Sequence, residues 1–80
     1  MVRLKNLAID ENGNIIADIY PEDAETPGKI IVSKEKLIEF SLPKKYEWCE
    51  KHIYHAERFI RKNYDKIKIG EIKNYSIVWC

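Results

Sequence analysis

The 80-residue chain has few of the residues on which several classes of protein depend. It has only three glycines, and it lacks a glycine-rich phosphate loop, a paired-carboxylate motif and a serine-histidine-aspartate signature. Two cysteines are too few for the disulfide framework of a small secreted domain. No apolar run resembles a signal peptide or approaches the roughly 20 residues of a membrane-spanning helix. We therefore expect a cytoplasmic protein outside the membrane and without a cofactor, with enzyme the less favoured class.

The chain also has almost no excess of either sign of charge, because its formal net charge is only +1. A dedicated nucleic-acid-binding protein usually has a larger excess of cations. The charge is unevenly placed: residues 1–40 have five basic and eight acidic side chains, whereas residues 41–80 have nine basic and five acidic. This polarity favours a head-to-tail arrangement of two copies or a weakly anionic partner.

The composition is that of one compact domain over residues 1–80, with 45% hydrophobic and 34% charged residues. A chain of this length buries only about 60% of the surface that it exposes when unfolded, so its stability margin is small. Association with a second copy would add to that margin. The predicted partner is therefore a homodimer mate or another small protein.

Short β-prone segments occupy the first half of the chain. Apolar alternation predicts strands over 2–11, 15–20, 29–33 and 37–42. In the first strand the apolar parity changes near Asn6, which predicts a bulge or a bend. Asn12-Gly13 predicts a type I′ turn after it. The acidic segment 21–28 is bracketed by prolines and is predicted to be a surface loop.

The second half contains the only long helical pattern, which predicts one helix over 43–64. Its core stripe is Cys49, Ile53, Ala56 and Ile60, which places Cys49 within the helix, while charged residues occupy the opposite side. Residues 65–74 are interpreted as a connector, and the β-prone hexapeptide 75–80 is predicted to be a fifth strand.

The predicted order ββββαβ gives an α+β fold. A meander followed by one helix-length crossover places the fifth strand beside the first, so the antiparallel sheet has the order 4-3-2-1-5. One α-helix covers one face. The other face is expected to be apolar enough to favour a partner there. Some of the following residues are expected there: Leu7, Ile16, Tyr20, Ile31, Leu37 and Val78.

A row of rings lies between the core stripe and the charged face of the predicted helix. Its members are Trp48, His52, His55 and Phe59, and Trp79 is expected nearby on the fifth strand. Because aromatic residues are enriched at interface centres, these five residues are the candidate interaction surface. Core packing is the alternative interpretation of the same rings.

The spacing Cys49-x-x-His52-x-x-His55 is an alternative metal motif, with Cys80 as a further ligand from another strand. Thiolate and imidazole are the ligands that zinc prefers. However, the three positions span about 120° of a helix, so two of them converge more easily than all three. As a nucleophilic pair the same residues lack an orienting group and oxyanion donors, and Cys49 lies on the core stripe. We expect no metal, no cofactor and no catalytic residue.

A basic helix face is the second alternative. Its cations are Lys44, Lys45, Lys51, Arg58, Arg61 and Lys62. Glu47, Glu50 and Glu57 lie between them, which is typical of an ordinary solvated helix face. Weak nucleic-acid binding is therefore kept as an alternative, although binding through released counterions needs several unopposed cations.

The meander, the helix with His55-Ala56 and the closing Ile77-Val78-Trp79 resemble a group of small uncharacterised bacterial proteins of about this length. The resemblance covers most of the chain. The resemblance brings no known activity, cofactor or partner with it, so no residue role follows from it.

Overall fold

A computed structural model describes residues 1–79 of the chain. The elements are β1 (Val2–Ile9), β2 (Ile15–Pro21), β3 (Gly28–Val32), β4 (Leu37–Ser41), a 3₁₀ turn (Lys44–Tyr46), α1 (Glu50–Lys62), α2 (Tyr64–Lys68) and β5 (Tyr75–Ile77). The strands form one antiparallel sheet in the order β4-β3-β2-β1-β5, with the main helix packed on it. The predicted α+β fold and strand order are confirmed. The predictions for Cys80 lie outside the described residues.

The predicted irregularity in β1 is a bulge at Asn6. Strand pairing with β2 is regular up to Lys5, resumes at Ala8, and leaves Asn6 with a φ of 57°. Asparagine tolerates this left-handed conformation better than most residues, and its Nδ2 donates to Asp18 Oδ2 at 2.8 Å. The inserted residue shifts the alternation, so Leu7 is buried in the core. Leu7, one of the candidates for the opposite face, therefore belongs to the core instead.

The turn after β1 is not the predicted type I′ turn. That turn requires a positive φ at both central residues. Gly13 has a φ of 81°, but the φ of Asn12 is not positive. Instead, Asp10 organises a longer turn: its Oδ1 accepts the backbone N–H groups of Asn12 and Asn14 at 2.8 and 2.9 Å. The carboxylate satisfies these donors locally, and only the glycine has to adopt the left-handed region.

The predicted single helix over 43–64 was wrong at its start. Backbone bonds from Tyr46 N to Pro43 O and from Cys49 N to Tyr46 O make a tight 3₁₀-type entry, and Cys49 is the N-cap residue of α1. The reason is packing, because Tyr46 and Cys49 turn inward to form a small second core cluster with Ala24. That cluster needs a different backbone path from the one that continues α1.

The segment interpreted as a connector contains the short helix α2. Asn63 interrupts the main helix with a φ of −113°, and its Nδ2 donates to the carbonyl oxygen of Phe59 at 2.9 Å. The chain then makes one further helical turn that buries Ile67 against β1 and β2. Ile67 is the only fully buried residue of this turn, and Tyr64 packs against the edge of the core, so the segment shows no apolar periodicity.

The main core lies between the helices and one face of the sheet. Its buried members are Val2, Leu4, Leu7, Ile15, Ala17, Ile19, Ile30, Val32, Ile53, Ala56, Ile60 and Ile67. The four residues of the predicted core stripe are all buried. None of the helices within residues 1–79 is long and apolar enough to span a membrane.

The opposite face of the sheet is less apolar than expected. Leu37 packs against the main core instead. The ring of Tyr20 is covered by Arg3 and Lys5, whose cationic groups lie 5.0 and 5.1 Å from its centroid. The largest ring on this face is therefore partly shielded from solvent contact by two cationic side chains.

Candidate interaction surface on the main helix and the last strand

Three rings of the predicted row and the ring of Trp79 form a continuous cluster where the start of α1 meets the residues that follow β5. The ring of His52 meets the edges of Trp48 and Trp79 at centroid distances of 6.0 and 4.8 Å. His55 stacks on Trp79 at 4.1 Å with an angle of 22° between the rings. Residues that are 24 or more positions apart in the chain are thus brought together, as predicted for Trp79 and the helical row.

The remaining ring of the row, Phe59, stacks on Tyr75 at 4.1 Å with an interplanar angle of 17°. Tyr54 extends the same surface, because its ring lies 5.6 Å from that of His55. Sequence reasoning missed Tyr54 and Tyr75. A usable signal was present: Tyr75 has the same strand parity as Trp79, and Tyr54 lies four residues before Arg58, which donates to its hydroxyl at 2.7 Å.

We call these six residues the aromatic surface: Trp48, Tyr54, His55, Phe59, Tyr75 and Trp79. Their exposure varies: the side chain of Trp48 is 69% exposed and that of Tyr75 is 47% exposed, whereas His55, Phe59 and Trp79 are half-buried. His52 is only 5% exposed and lies beneath the tryptophans. His52 therefore supports the surface from below and has little area with which to contact a partner.

The support beneath the surface continues to Glu22, at the start of the loop after β2. His52 Nε2–H donates to Glu22 Oε2 at 2.6 Å, and the terminal ammonium of Met1 donates to the same oxygen at 2.9 Å. These two donors lower the pKa of the Glu22 carboxyl, with the histidine bond the larger cause. His52 Nδ1 has no hydrogen-bond partner within the described residues.

The acidic loop 22–27 is held by further contacts. Arg3 Nη2 donates to the carbonyl oxygen of Ala24 at 2.6 Å, and the hydroxyl of Tyr46 donates to Asp23 Oδ1 at 2.5 Å. The second bond lowers the pKa of Asp23 and raises that of Tyr46. The loop therefore has a fixed position beside the start of α1, and Glu22 is fixed with it.

The alternative chemistry of Cys49 finds little support in this geometry. Burial raises the pKa of the Cys49 thiol, which disfavours the nucleophilic thiolate. His52 uses Nε2 to bind Glu22, and His55 is stacked on Trp79. Among residues 1–79, no three His, Cys, Asp or Glu side chains are grouped so that they could hold a metal ion.

The basic residues assigned to one face of the predicted helix separate into two places. Arg58, Arg61 and Lys62 line an open groove with Lys34, beside Tyr54 and Phe59 of the aromatic surface. Within this groove Arg61 is paired with Glu57 at 2.9 Å. The predicted cations Lys44 and Lys45 lie elsewhere, in a depression that also contains Asp23 and Glu25.

All ring-to-ring contacts within the described residues involve the aromatic surface or His52 beneath it. The aromatic surface and the adjoining basic groove are therefore the candidate functional site. Comparison of the chain with protein-family models, with curated proteins and with solved structures finds no match.

Proposed function

We propose that this protein is a small interaction module that binds another protein, in the first place a second copy of itself, through the aromatic surface. The observation that carries the proposal is the exposed Trp48, which lies just before α1 and next to the stacked rings on one flank of that helix. Tryptophan and tyrosine are the residues most enriched among those that dominate binding free energies. A domain of this size also gains stability from association.

The rings are held in place before any partner arrives. Trp79 is packed between His52 and His55, and Phe59 is stacked on Tyr75. A side chain that is already fixed loses less conformational entropy on binding, so its contacts contribute more to affinity. The rigid helix and the hydrogen-bonded base formed by His52 and Glu22 supply this fixed position.

Core packing accounts for only part of the row. It explains His52, which is buried, and the half-buried inner edges of His55 and Phe59. It does not explain Trp48, whose exposed ring makes one edge contact with His52 and donates Nε1–H to the carbonyl oxygen of Lys45 at 3.1 Å. A binding role explains why a large ring is kept in solvent.

Site-specific photo-crosslinking in the native cell tests this proposal. A photoreactive amino acid replaces Trp48 or Tyr54 on the aromatic surface, and Lys29, exposed on the opposite face of the sheet, is the control position. We expect a discrete protein adduct from Trp48 and Tyr54 and none from Lys29. Equal adducts from all three positions, or none from the surface, would contradict the proposal.

Nucleic-acid binding is the second candidate, and the groove of Lys34, Arg58, Arg61 and Lys62 favours it. Four cations opposed by one carboxylate, next to exposed rings, are a suitable environment for a phosphate backbone with stacked bases. The same crosslinking experiment with the photoreactive group at Lys62 distinguishes the two candidates. Adducts that nuclease removes and that weaken with salt would favour nucleic acid over protein.

A further inference from the structure

The two edges of the sheet differ in how they are protected from pairing with another strand. β4, at one edge, carries the charge of Glu39, and its register with β3 is interrupted where Ile38 is left without a partner. Charges and bulges are the usual protection of an edge strand. β5, at the other edge, is protected only by its length of three residues, because residues 74–79 contain no charged side chain and its register with β1 is regular.

The side chains of this edge divide cleanly between the two faces of the sheet. Ile77 packs against the main core, Tyr75 stacks on Phe59 and Trp79 stacks on His55, so the odd-numbered side chains face the helix. Since successive side chains of an extended segment alternate, Ser76 and Val78 belong to the opposite face. Both are exposed, and Val78 is 73% exposed.

In the segment Tyr75–Trp79 the two end residues are both aromatic and lie at equal distances from Ile77, and the inner positions hold Ser76 and Val78. If two such segments run antiparallel, with a two-fold axis between Ile77 of one copy and Ile77 of the other, Tyr75 of one copy lies opposite Trp79 of the other. On the opposite face, Ser76 lies opposite Val78. Every pair is therefore free of like-charge repulsion, and aromatic pairs across strands are among the stabilising ones.

We propose that the partner is a second copy of this chain, joined edge to edge through antiparallel pairing of residues 75–79, which are β5 and the two residues after it, about a two-fold axis between the two Ile77 residues. This inference rests on the proposed interaction function and names its partner and register. An axis perpendicular to the sheet keeps both main helices on the same side of a continuous ten-stranded sheet. The aromatic surfaces of the two copies then become neighbours across the axis.

A pair of double variants tests the register. Ser76→Lys with Val78→Lys places like charges directly opposite across the axis, whereas Ser76→Lys with Val78→Glu places opposite charges there. Both positions are exposed, so neither change removes a core contact. Asn12→Lys with Thr26→Lys adds the same net charge as the first variant at exposed positions far from β5 in the sequence. Folding of each variant is checked by circular dichroism.

The readout is the dimer dissociation constant from light scattering over a wide dilution series. We expect the wild-type protein to be a dimer and the lysine-glutamate variant to remain one. In the double-lysine variant the dimer dissociation constant should rise at least about tenfold, because two cross-strand pairs then place like charges opposite each other. The Asn12 and Thr26 control should remain dimeric. A monomeric wild type, or equal loss in both β5 variants, would overturn the proposal.

These outcomes are separable from failure of the interaction function itself. If the purified protein is monomeric but Trp48 and Tyr54 still give a protein adduct that Lys29 does not, the module binds a different protein and only the β5 pairing fails. If neither experiment gives association, both proposals fail together.

Discussion

Glu22 shows how much a single residue contributes to the aromatic surface. It has a φ of 51° without being glycine, a conformation that persists only where surrounding contacts fix it. The contacts here are the bonds from His52 and from the terminal ammonium. A carboxylate in the loop after β2 therefore fixes a histidine of α1, and that histidine carries the two tryptophans.

Replacement of this carboxylate gives a pH-dependent prediction. The folded-state pKa of Glu22 is lowered from its ordinary value of 4.5, so its stabilising contribution is present above that pH and is lost as the pH falls through the folded-state pKa. We expect Glu22→Gln to lower the free energy of unfolding at neutral pH, and the difference from wild type to shrink in acid below pH 4.5. Urea unfolding across a pH series measures this difference.

Glu35→Gln, at an exposed turn position, is the matched control. It should change the unfolding free energy little at any of these pH values, because an exposed substitution away from specific contacts has small effects. A Glu22→Gln difference that stays constant from neutral to acidic pH would show that the carboxylate charge is not what stabilises the site.

Helical periodicity identified the ring row but not the exposure of its members. The pattern correctly grouped His52, His55 and Phe59 on one flank of α1, but Trp48 lies before the helix, which begins at Glu50. It placed His52 at the border of the core, whereas the partner that lets this histidine be buried is Glu22, 30 residues earlier. Such a pairing depends on the path of a loop and has no local signature in the sequence.

At the level of the elements, Gly28 sets the spacing between β3 and β4. An added Cβ at this glycine would lie 2.0 Å from the carbonyl oxygen of Ser41 and 2.9 Å from the Cα of Leu42. Both neighbours are backbone atoms, which cannot rotate away as a side chain can. The close approach of the two strands at this end of the sheet therefore depends on the missing side chain.

We expect Gly28→Ala to separate the end of β4 from β3 and to lower the free energy of unfolding by about 1–3 kcal/mol. Hydrogen exchange of the amides in β4 should become faster. Gly70→Ala is the control, because Gly70 has a φ of 83° and no neighbouring atom within 4 Å of the added Cβ. It should have only the conformational penalty of about 1–2 kcal/mol, with β4 unchanged. Protected β4 amides in Gly28→Ala would contradict this view.

The boundaries of the elements could be predicted wherever local chemistry decides them. The parity change at Asn6 correctly marked the bulge, and the alternation in residues 15–20 correctly marked β2. The start of α1 and the existence of α2 could not be predicted, because each depends on a tertiary contact. Tyr46 and Cys49 pack on Ala24, and Ile67 reaches the main core.

For the molecule as a whole, connection rules were sufficient to give the strand order. A four-stranded meander and a single helical crossover leave few arrangements in which every pair is antiparallel. The acidic and basic halves of the sequence do not become two separate faces, because Lys44 and Lys45 lie beside the acidic loop. The count of charges in each half of the sequence therefore did not predict how charge is distributed over the surface, whereas the apolar pattern did predict the fold.

A last prediction concerns the response of the whole molecule to metals. Since Cys49 is buried as a thiol and His52 is bonded to Glu22, we expect the melting temperature to be the same with a chelator, without one and with added zinc. Differential scanning calorimetry of the purified protein measures this, and the variant His52→Gln serves as the comparison. A zinc-dependent rise in wild type that His52→Gln abolishes would revive the metal alternative.

Both tryptophans of the chain lie in the aromatic surface, one on each side of His52. When the tryptophans are excited selectively, all of the intrinsic fluorescence therefore comes from this surface. A molecule that docks there will shift or quench the emission, whereas an event on the opposite side of the sheet will leave it nearly unchanged. The protein thus contains its own unlabelled optical reporter, which could be used to screen partners and to follow their arrival in real time.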